Sequence, residues 1–146
     1  MTIYLACTVR GDRSAVAALR ELVHDLETGG HTVLTKHLLD DDIETSESAL
    51  TERQVFDRDI AWLDACDLLI ADASGSSFGV GFEVGYVLGR SDRTQQRVLL
   101  LYRADRSDVI SRLIIGLAHP RCELIAYADA ASLVESVSRR VPPVTR

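Results

Sequence analysis

Glu83 is a carboxylate in an apolar setting, within Gly79-Val80-Gly81-Phe82-Glu83-Val84-Gly85-Tyr86-Val87. On a helix its neighbours three and four positions away are Gly79, Val80, Tyr86 and Val87, none of them cationic. Burying a carboxylate without a partner is costly. A nearby helix N-terminus offsets part of that cost and favours the ionised form. An ionised, poorly solvated carboxylate facing a ligand crevice can attack an electrophilic carbon. The alternative is a structural glutamate bonded to backbone amides or to an arginine distant in sequence. Asp59 is a second such carboxylate. It shares a helix face with Val55, Phe56, Ile60 and Leu63, a position expected to face the core. Its alternative is an ion pair with Arg53 or Arg10. Two carboxylates, one a nucleophile and one assisting departure, are the usual equipment for retaining cleavage of a glycosidic bond.

Three loops could hold the rest of a substrate. Gly75-Ser76-Ser77-Phe78-Gly79-Val80-Gly81 opens the Glu83 helix. Its glycines allow close backbone approach, and free amides at a helix N-terminus attract anions. Ser77, Gly79 and Gly81 are the candidates there; the loop lacks a Walker lysine, and a plain strand-to-helix connection explains it as well. Cys7-Thr8-Val9-Arg10-Gly11 supplies a hydroxyl at Thr8, a guanidinium at Arg10 and a turn at Gly11, a set suited to phosphate. A solvated loop arginine is the alternative. Asp72 either binds ligand or caps its own loop.

The elements that must position these residues alternate between strand and helix. Strands are predicted over Ile3–Val9, Thr32–Thr35, Leu68–Ala71, Arg97–Tyr102 and Glu123–Tyr127. Helices are predicted over Ser14–Glu27, Ser46–Ala65, Gly79–Gly89, Ser107–Ala118 and Ala130–Arg140. Near-continuous apolar strands separated by helices indicate an α/β fold. The expectation is a five-stranded parallel sheet with helices on both faces, flavodoxin-like or Rossmann-like. Ligands in such folds bind beyond the carboxyl ends of the strands, near the switch in strand order.

Composition narrows the function classes. The 146 residues suit one domain with one core. The net charge of −6 and the single lysine, Lys36, argue against a nucleic-acid duplex as partner. No apolar run approaches the ~18 residues of a membrane span, and Met1 leads directly into a strand-like run without a basic region. The expected compartment is the cytoplasm. Cys7, Cys66 and Cys122 are isolated in sequence and expected to be free thiols. No pair of cysteines and histidines has ligand spacing, so no metal is expected; with carboxylates and an anion site to supply the chemistry, no organic cofactor is expected either.

Tyr4 with Arg10 beyond it, Asp59-Ile60-Ala61-Trp62-Leu63, Asp67-Leu68-Leu69-Ile70-Ala71-Asp72 and the Gly79–Gly85 block together resemble the nucleoside 2-deoxyribosyltransferase superfamily. The resemblance runs from the first strand to about Ala126 and is nearest to the branch that hydrolyses 2'-deoxynucleoside 5'-phosphates. It implies that Glu83 is the nucleophile attacking the anomeric carbon. It implies that Asp59 assists departure of the base and that Tyr4 stands beside sugar and nucleophile. It gives Arg10, Ser77 and Gly79 to the 5'-phosphate, and matches Ser111 to a serine that reaches the phosphate from the other subunit of a homodimer. The transferases carry an aspartate six residues before the nucleophile, where this chain has Ser77. A serine can donate to a phosphate that an aspartate would repel. The expected partner is therefore a small nucleotide, cleaved to free base and (deoxy)ribose 5-phosphate. Base exchange by a transferase and a non-catalytic nucleotide-binding module are the alternatives. The chain departs from the hydrolase pattern at Cys7, which replaces a glycine, and at Phe82, which replaces a tyrosine.

Overall fold

A computed structural model describes residues 1–144. Five strands, β1 (Thr2–Ala6), β2 (Thr32–Val33), β3 (Leu68–Asp72), β4 (Arg97–Arg103) and β5 (Cys122–Tyr127), form one parallel sheet in the order β2-β1-β3-β4-β5. The expected doubly wound α/β architecture is present. The order reverses between β1 and β3, whose pairing runs from Ile3 opposite Leu68 to Ala6 opposite Ala71. A crevice is expected beyond the carboxyl ends of these two strands.

Strand residues alternate between two cores. Ile3, Leu5, Leu68, Ile70, Leu99 and Leu101 face one layer, packed under α1 (Val16–Thr28) and α6 (Ala130–Ser138). Tyr4, Ala6, Leu69, Ala71, Val98 and Leu100 face the other. That second layer holds α3 (Glu52–Ala65) and α4 (Phe78–Leu88) through Leu63, Val80, Val84 and Val87. Period-two alternation with both faces apolar is what a sheet covered on both sides requires.

Three departures from the expected element boundaries have a clear local cause. β1 stops at Ala6 rather than Val9. Beyond it the Arg13 guanidinium donates to the Thr8 carbonyl at 3.1 Å and the Leu38 carbonyl at 3.0 Å, folding the segment into a loop. The long helix expected from Ser46 is two, α2 (Ile43–Glu47) and α3. Thr51 caps α3: Gln54 N–H donates to Thr51 Oγ1 at 3.2 Å, and Thr51 N–H donates to Gln54 Oε1 at 2.9 Å. This reciprocal box defines a helix start. The helix expected over Ser107–Ala118 shrinks to α5 (Arg112–Ile115), between an extended Ser111 and Gly116.

β2 is short, and Thr35 completes its ladder. Its hydroxyl accepts from Leu5 N–H at 2.8 Å and donates to Leu5 C=O at 2.7 Å. The three cysteines are free; Cys7 and Cys66 are buried and Cys122 is half-buried. No helix among the described residues is long and apolar enough to cross a membrane.

The loop after β3 presses against the loop after β1. A Cβ added at Gly75 would lie 2.0 Å from Thr8 Oγ1 and 2.7 Å from the Asp12 carbonyl oxygen. Gly75→Ala is therefore expected to destabilise the fold by about 1–3 kcal/mol, the usual cost of overpacking. Thermal unfolding should fall by roughly 3–10 °C for a chain of this size. An unchanged melting temperature would show that the two loops do not touch this closely.

Candidate active site

A cleft of about 710 Å³ opens at the switch point, bounded by the loop after β1, by α3 and by the start of α4. Glu83, Asp59, Arg10, Ser77 and Gly79 all line it. Tyr4 joins them from below. It is fully buried mid-strand, and its hydroxyl donates to Glu83 Oε1 at 2.6 Å. Among the described residues nothing donates to Glu83 Oε2.

Glu83 sits in the second turn of α4, beyond the reach of the first-turn dipole. The expectation that the helix start keeps it ionised is corrected. Burial dominates, and the Asp59 charge adds to it, so the Glu83 carboxyl is pushed up to about 7 even though the Tyr4 hydrogen bond pulls the other way. Such a group can cycle between charged and neutral forms near neutral pH. Burial, then the Glu83 charge, drive the Tyr4 phenol far above its usual range. Tyr4 therefore remains a proton-bearing donor. The Cys7 thiol, also on the cleft wall, is pushed up to about 12 by burial and is no thiolate nucleophile at neutral pH.

The α3 stripe does not enter the core as expected. Only Leu63 is fully buried, while Val55, Phe56, Asp59 and Ile60 form a wall of the cleft. Asp59 is thus a cleft residue for the same reason that Phe56 remains half-exposed. Its partner is neither Arg53 nor Arg10. Arg53 pairs with Asp57, and Arg58 Nε donates to Asp59 Oδ1 at 2.8 Å. Arg58 Nη2 also donates to Glu47 Oε1 at 2.6 Å, and its guanidinium lies 4.9 Å from the centre of the Trp62 ring.

The start of α4 is open to an anion. Ser77 occupies the cap position, yet its hydroxyl makes no capping bond. The first-turn amides have no acceptor within the helix. Arg10 is exposed at the cleft rim and makes no ion pair among the described residues. The remaining candidates lie elsewhere. Thr8 is buried against Gly75 with its hydroxyl unpartnered, and does not line the cleft. Gly11 adopts a left-handed φ of 118° and serves the turn. Asp72 is buried; it accepts from Tyr127 Oη at 2.8 Å and Ser74 N–H at 3.0 Å, the capping alternative. Gly81 and Ser111 line a second depression on the far side of α4, with Phe78, Leu113 and Ile114.

Sequence reasoning missed Arg58 and Glu47. Arg58 precedes Asp59 directly, and adjacent helical residues do not face each other. Only the length of the arginine lets its Nε reach back. Glu47 lies on a separate helix, and no spacing rule connects it to the site. Among the described residues no group of three His, Cys, Asp or Glu side chains could hold a metal ion.

Fold and site together define a doubly wound α/β protein with a tyrosine-held glutamate and an uncapped helix start on one cleft. The chain belongs to the nucleoside 2-deoxyribosyltransferase family, whose model matches residues 3–132. A Thermofilum pendens protein named "Putative 2'-deoxynucleoside 5'-phosphate N-hydrolase 1" is 39% identical over 142 residues, covering 97% of this chain and 96% of that one. The 5-hydroxymethyl-dUMP N-hydrolase of Danio rerio is 33% identical over 131 residues, 88% of each chain. The solved CMP N-glycosidase BcmB of Clostridium botulinum superposes with a TM-score of 0.71, covering 96% of this chain and 99% of that one. At 19% identity this last likeness shows the fold alone.

The raised Glu83 pKa has a consequence for stability. The folded value of about 7 exceeds the ordinary 4.5, so folding favours the protonated form. The stabilisation is complete below pH 4.5 and is lost as pH rises through about 7. The shift corresponds to on the order of 3 kcal/mol. Glu83→Gln stays neutral and still accepts from Tyr4. It should be more stable than wild type at pH 8 by on the order of 1–3 kcal/mol, with the gap shrinking toward pH 5. Urea unfolding at both pH values measures this, and a gap independent of pH would refute the raised pKa.

Proposed function

We propose that this protein is an N-glycosidase that hydrolyses (2'-deoxy)nucleoside 5'-monophosphates to free base and (deoxy)ribose 5-phosphate. The observation that carries the reading is the Tyr4-held Glu83 on the same cleft wall as the open start of α4. Gly79 and Glu83 are four residues apart, so about 6 Å separates them along the helix axis. That spacing suits a 5'-phosphate at the helix start and an anomeric carbon at the carboxylate. The N-hydrolase names of the relatives support the same assignment.

The steps follow from the residues present. The ionised Glu83 carboxylate attacks the anomeric carbon, forming a glycosyl ester as the C–N bond breaks. The base leaves with that electron pair and takes up a proton, which Asp59 relays. Water then adds to the anomeric carbon and gives its proton to Asp59, replacing the one passed to the base, while the ester C–O bond breaks and the Glu83 carboxylate returns. Tyr4 holds the carboxylate in place, while Ser77, the Gly79 amide and Arg10 hold the phosphate. These roles need no cofactor. Three free thiols suit a reducing compartment, and we assign the enzyme to the cytoplasm.

A homodimer is part of the proposal. Phe78 is 99% exposed and Leu113 80% exposed beside Ser111, an apolar surface suited to contact with a second copy. Ser111 of one protomer would then reach the phosphate of the other. Leu113→Glu is expected to halve the mass measured by light scattering after gel filtration and to raise KM. A wild-type monomer would remove this part of the proposal.

Incubation with a panel of deoxy- and ribonucleoside monophosphates, followed by chromatography of free base, tests the activity. Wild type should release base from a 5'-monophosphate faster than from the matching nucleoside. Glu83→Gln should lose at least about a thousandfold in kcat, as loss of a covalent nucleophile does. Release of no base from any nucleotide by folded protein would refute the hydrolase reading. Products that carry an added second base would indicate a transferase.

A further inference from the structure

Four carboxylates, Glu47, Glu52, Asp59 and Glu83, line the cleft. Two of them are joined by one side chain. Arg58 donates from Nε to Asp59 Oδ1 at 2.8 Å and from Nη2 to Glu47 Oε1 at 2.6 Å. All three side chains of this chain of contacts are largely buried, at 22% exposure for Arg58, 20% for Glu47 and 26% for Asp59. The guanidinium is held flat by Trp62, one turn further along α3, with 4.9 Å to the ring centre. His37 abuts the far end, its Nε2 3.7 Å from Glu47 Oε1 and its ring edge-on to Trp62.

The geometry points to Arg58 as a positioning residue for the departure of the base, with Glu47 as its anchor on α2. The inference rests on the glycosidase reading above. A free aspartate on a helix rotates about two side-chain torsions. Here one oxygen, Oδ1, is tied to a guanidinium that is itself fixed at its other end and stacked on its face. Among the described residues nothing donates to Oδ2. Asp59 therefore presents a single oxygen to the ligand, in one orientation. A fork that satisfies two carboxylates needs the planar, multi-donor guanidinium; a lysine ammonium cannot reproduce its fixed angles. Arg58 touches no reacting atom and does not line the cleft. Its effect passes through Asp59.

This predicts an effect that depends on the leaving group. The test uses a series of nucleotides graded in the acidity of the departing base, built on one that wild type cleaves. Arg58→Gln should lower kcat about tenfold or more for the least acidic base, within the range that assistance to a leaving group contributes. The loss should shrink toward the most acidic base, with KM changed less than threefold. Arg58→Lys should recover part of the loss, and Glu47→Gln should show a smaller loss of the same pattern. In a double-mutant cycle, Arg58→Gln should add less than about threefold to the loss in Asp59→Asn.

A loss equal for all bases would mark Arg58 as merely structural and overturn the inference. So would additive losses in the cycle. Should Arg58→Gln fail to fold, Glu47→Gln and Arg58→Lys carry the same leaving-group comparison. A wild type active on nucleotides with an unaffected Arg58→Gln refutes this inference alone. A wild type inert on every nucleotide refutes it together with the glycosidase reading.

Discussion

The 2.6 Å hydrogen bond between Tyr4 and Glu83 is the contact on which the site depends. It joins the centre of the sheet to the helix that follows the switch point. A fully buried tyrosine must satisfy its hydroxyl, and a carboxylate in an apolar wall must find a donor. Each group resolves the other's cost. The bond also sets the register of α4 on the sheet. Val80, Val84 and Val87 can pack on Leu69, Ala71 and Leu100 only with Glu83 turned toward β1. Position within β1 matters equally, because Ile3 and Leu5 face the opposite layer. A one-residue slip would turn the phenol away from the cleft.

In the proposed role of nucleophile, Glu83 is pulled in opposite directions by burial and reactivity. The protein that surrounds it raises its pKa and makes the ionised fold less stable. The same poor solvation makes the carboxylate a stronger nucleophile once it is ionised. Tyr4 moderates this conflict with one donor, enough to fix an oxygen without drowning the charge in hydrogen bonds. A second donor on Oε2 would stabilise the fold at high pH and blunt the attack. The open Oε2 is thus consistent with a site that trades stability for reactivity.

Much of this was legible from residue types and spacing. Strand alternation and helix punctuation predict the sheet, and Glu83 stands out because no cation lies within reach on its helix. The α3 stripe shows where pattern reading stops. Val55, Phe56 and Ile60 have the periodicity of a core face, but that face looks into a cleft; periodicity reports an apolar side and not what covers it. Thr8 and Asp72 have site-like chemistry, yet their hydroxyl and carboxylate turn inward against Gly75, Ser74 and Tyr127. The Glu47–Arg58–Asp59 chain was invisible because it crosses between two helices whose junction is set by the Thr51 cap.

The polarity of the cleft accounts for how one small ligand could be held one way round. Arg10, the unengaged Ser77 hydroxyl and the first-turn amides of α4 attract an anion at one end. Glu83 and Asp59 repel it at the other. A nucleoside monophosphate entering backwards would set its phosphate against two carboxylates and leave the helix start empty. Both terms disfavour that orientation. Of the carboxylates near that second end, Glu47 and Asp59 are already joined through Arg58. Glu83 is held by a neutral phenol and has no ion pair among the described residues. An electron-poor anomeric carbon would therefore meet at Glu83 a carboxylate oxygen that no cation engages.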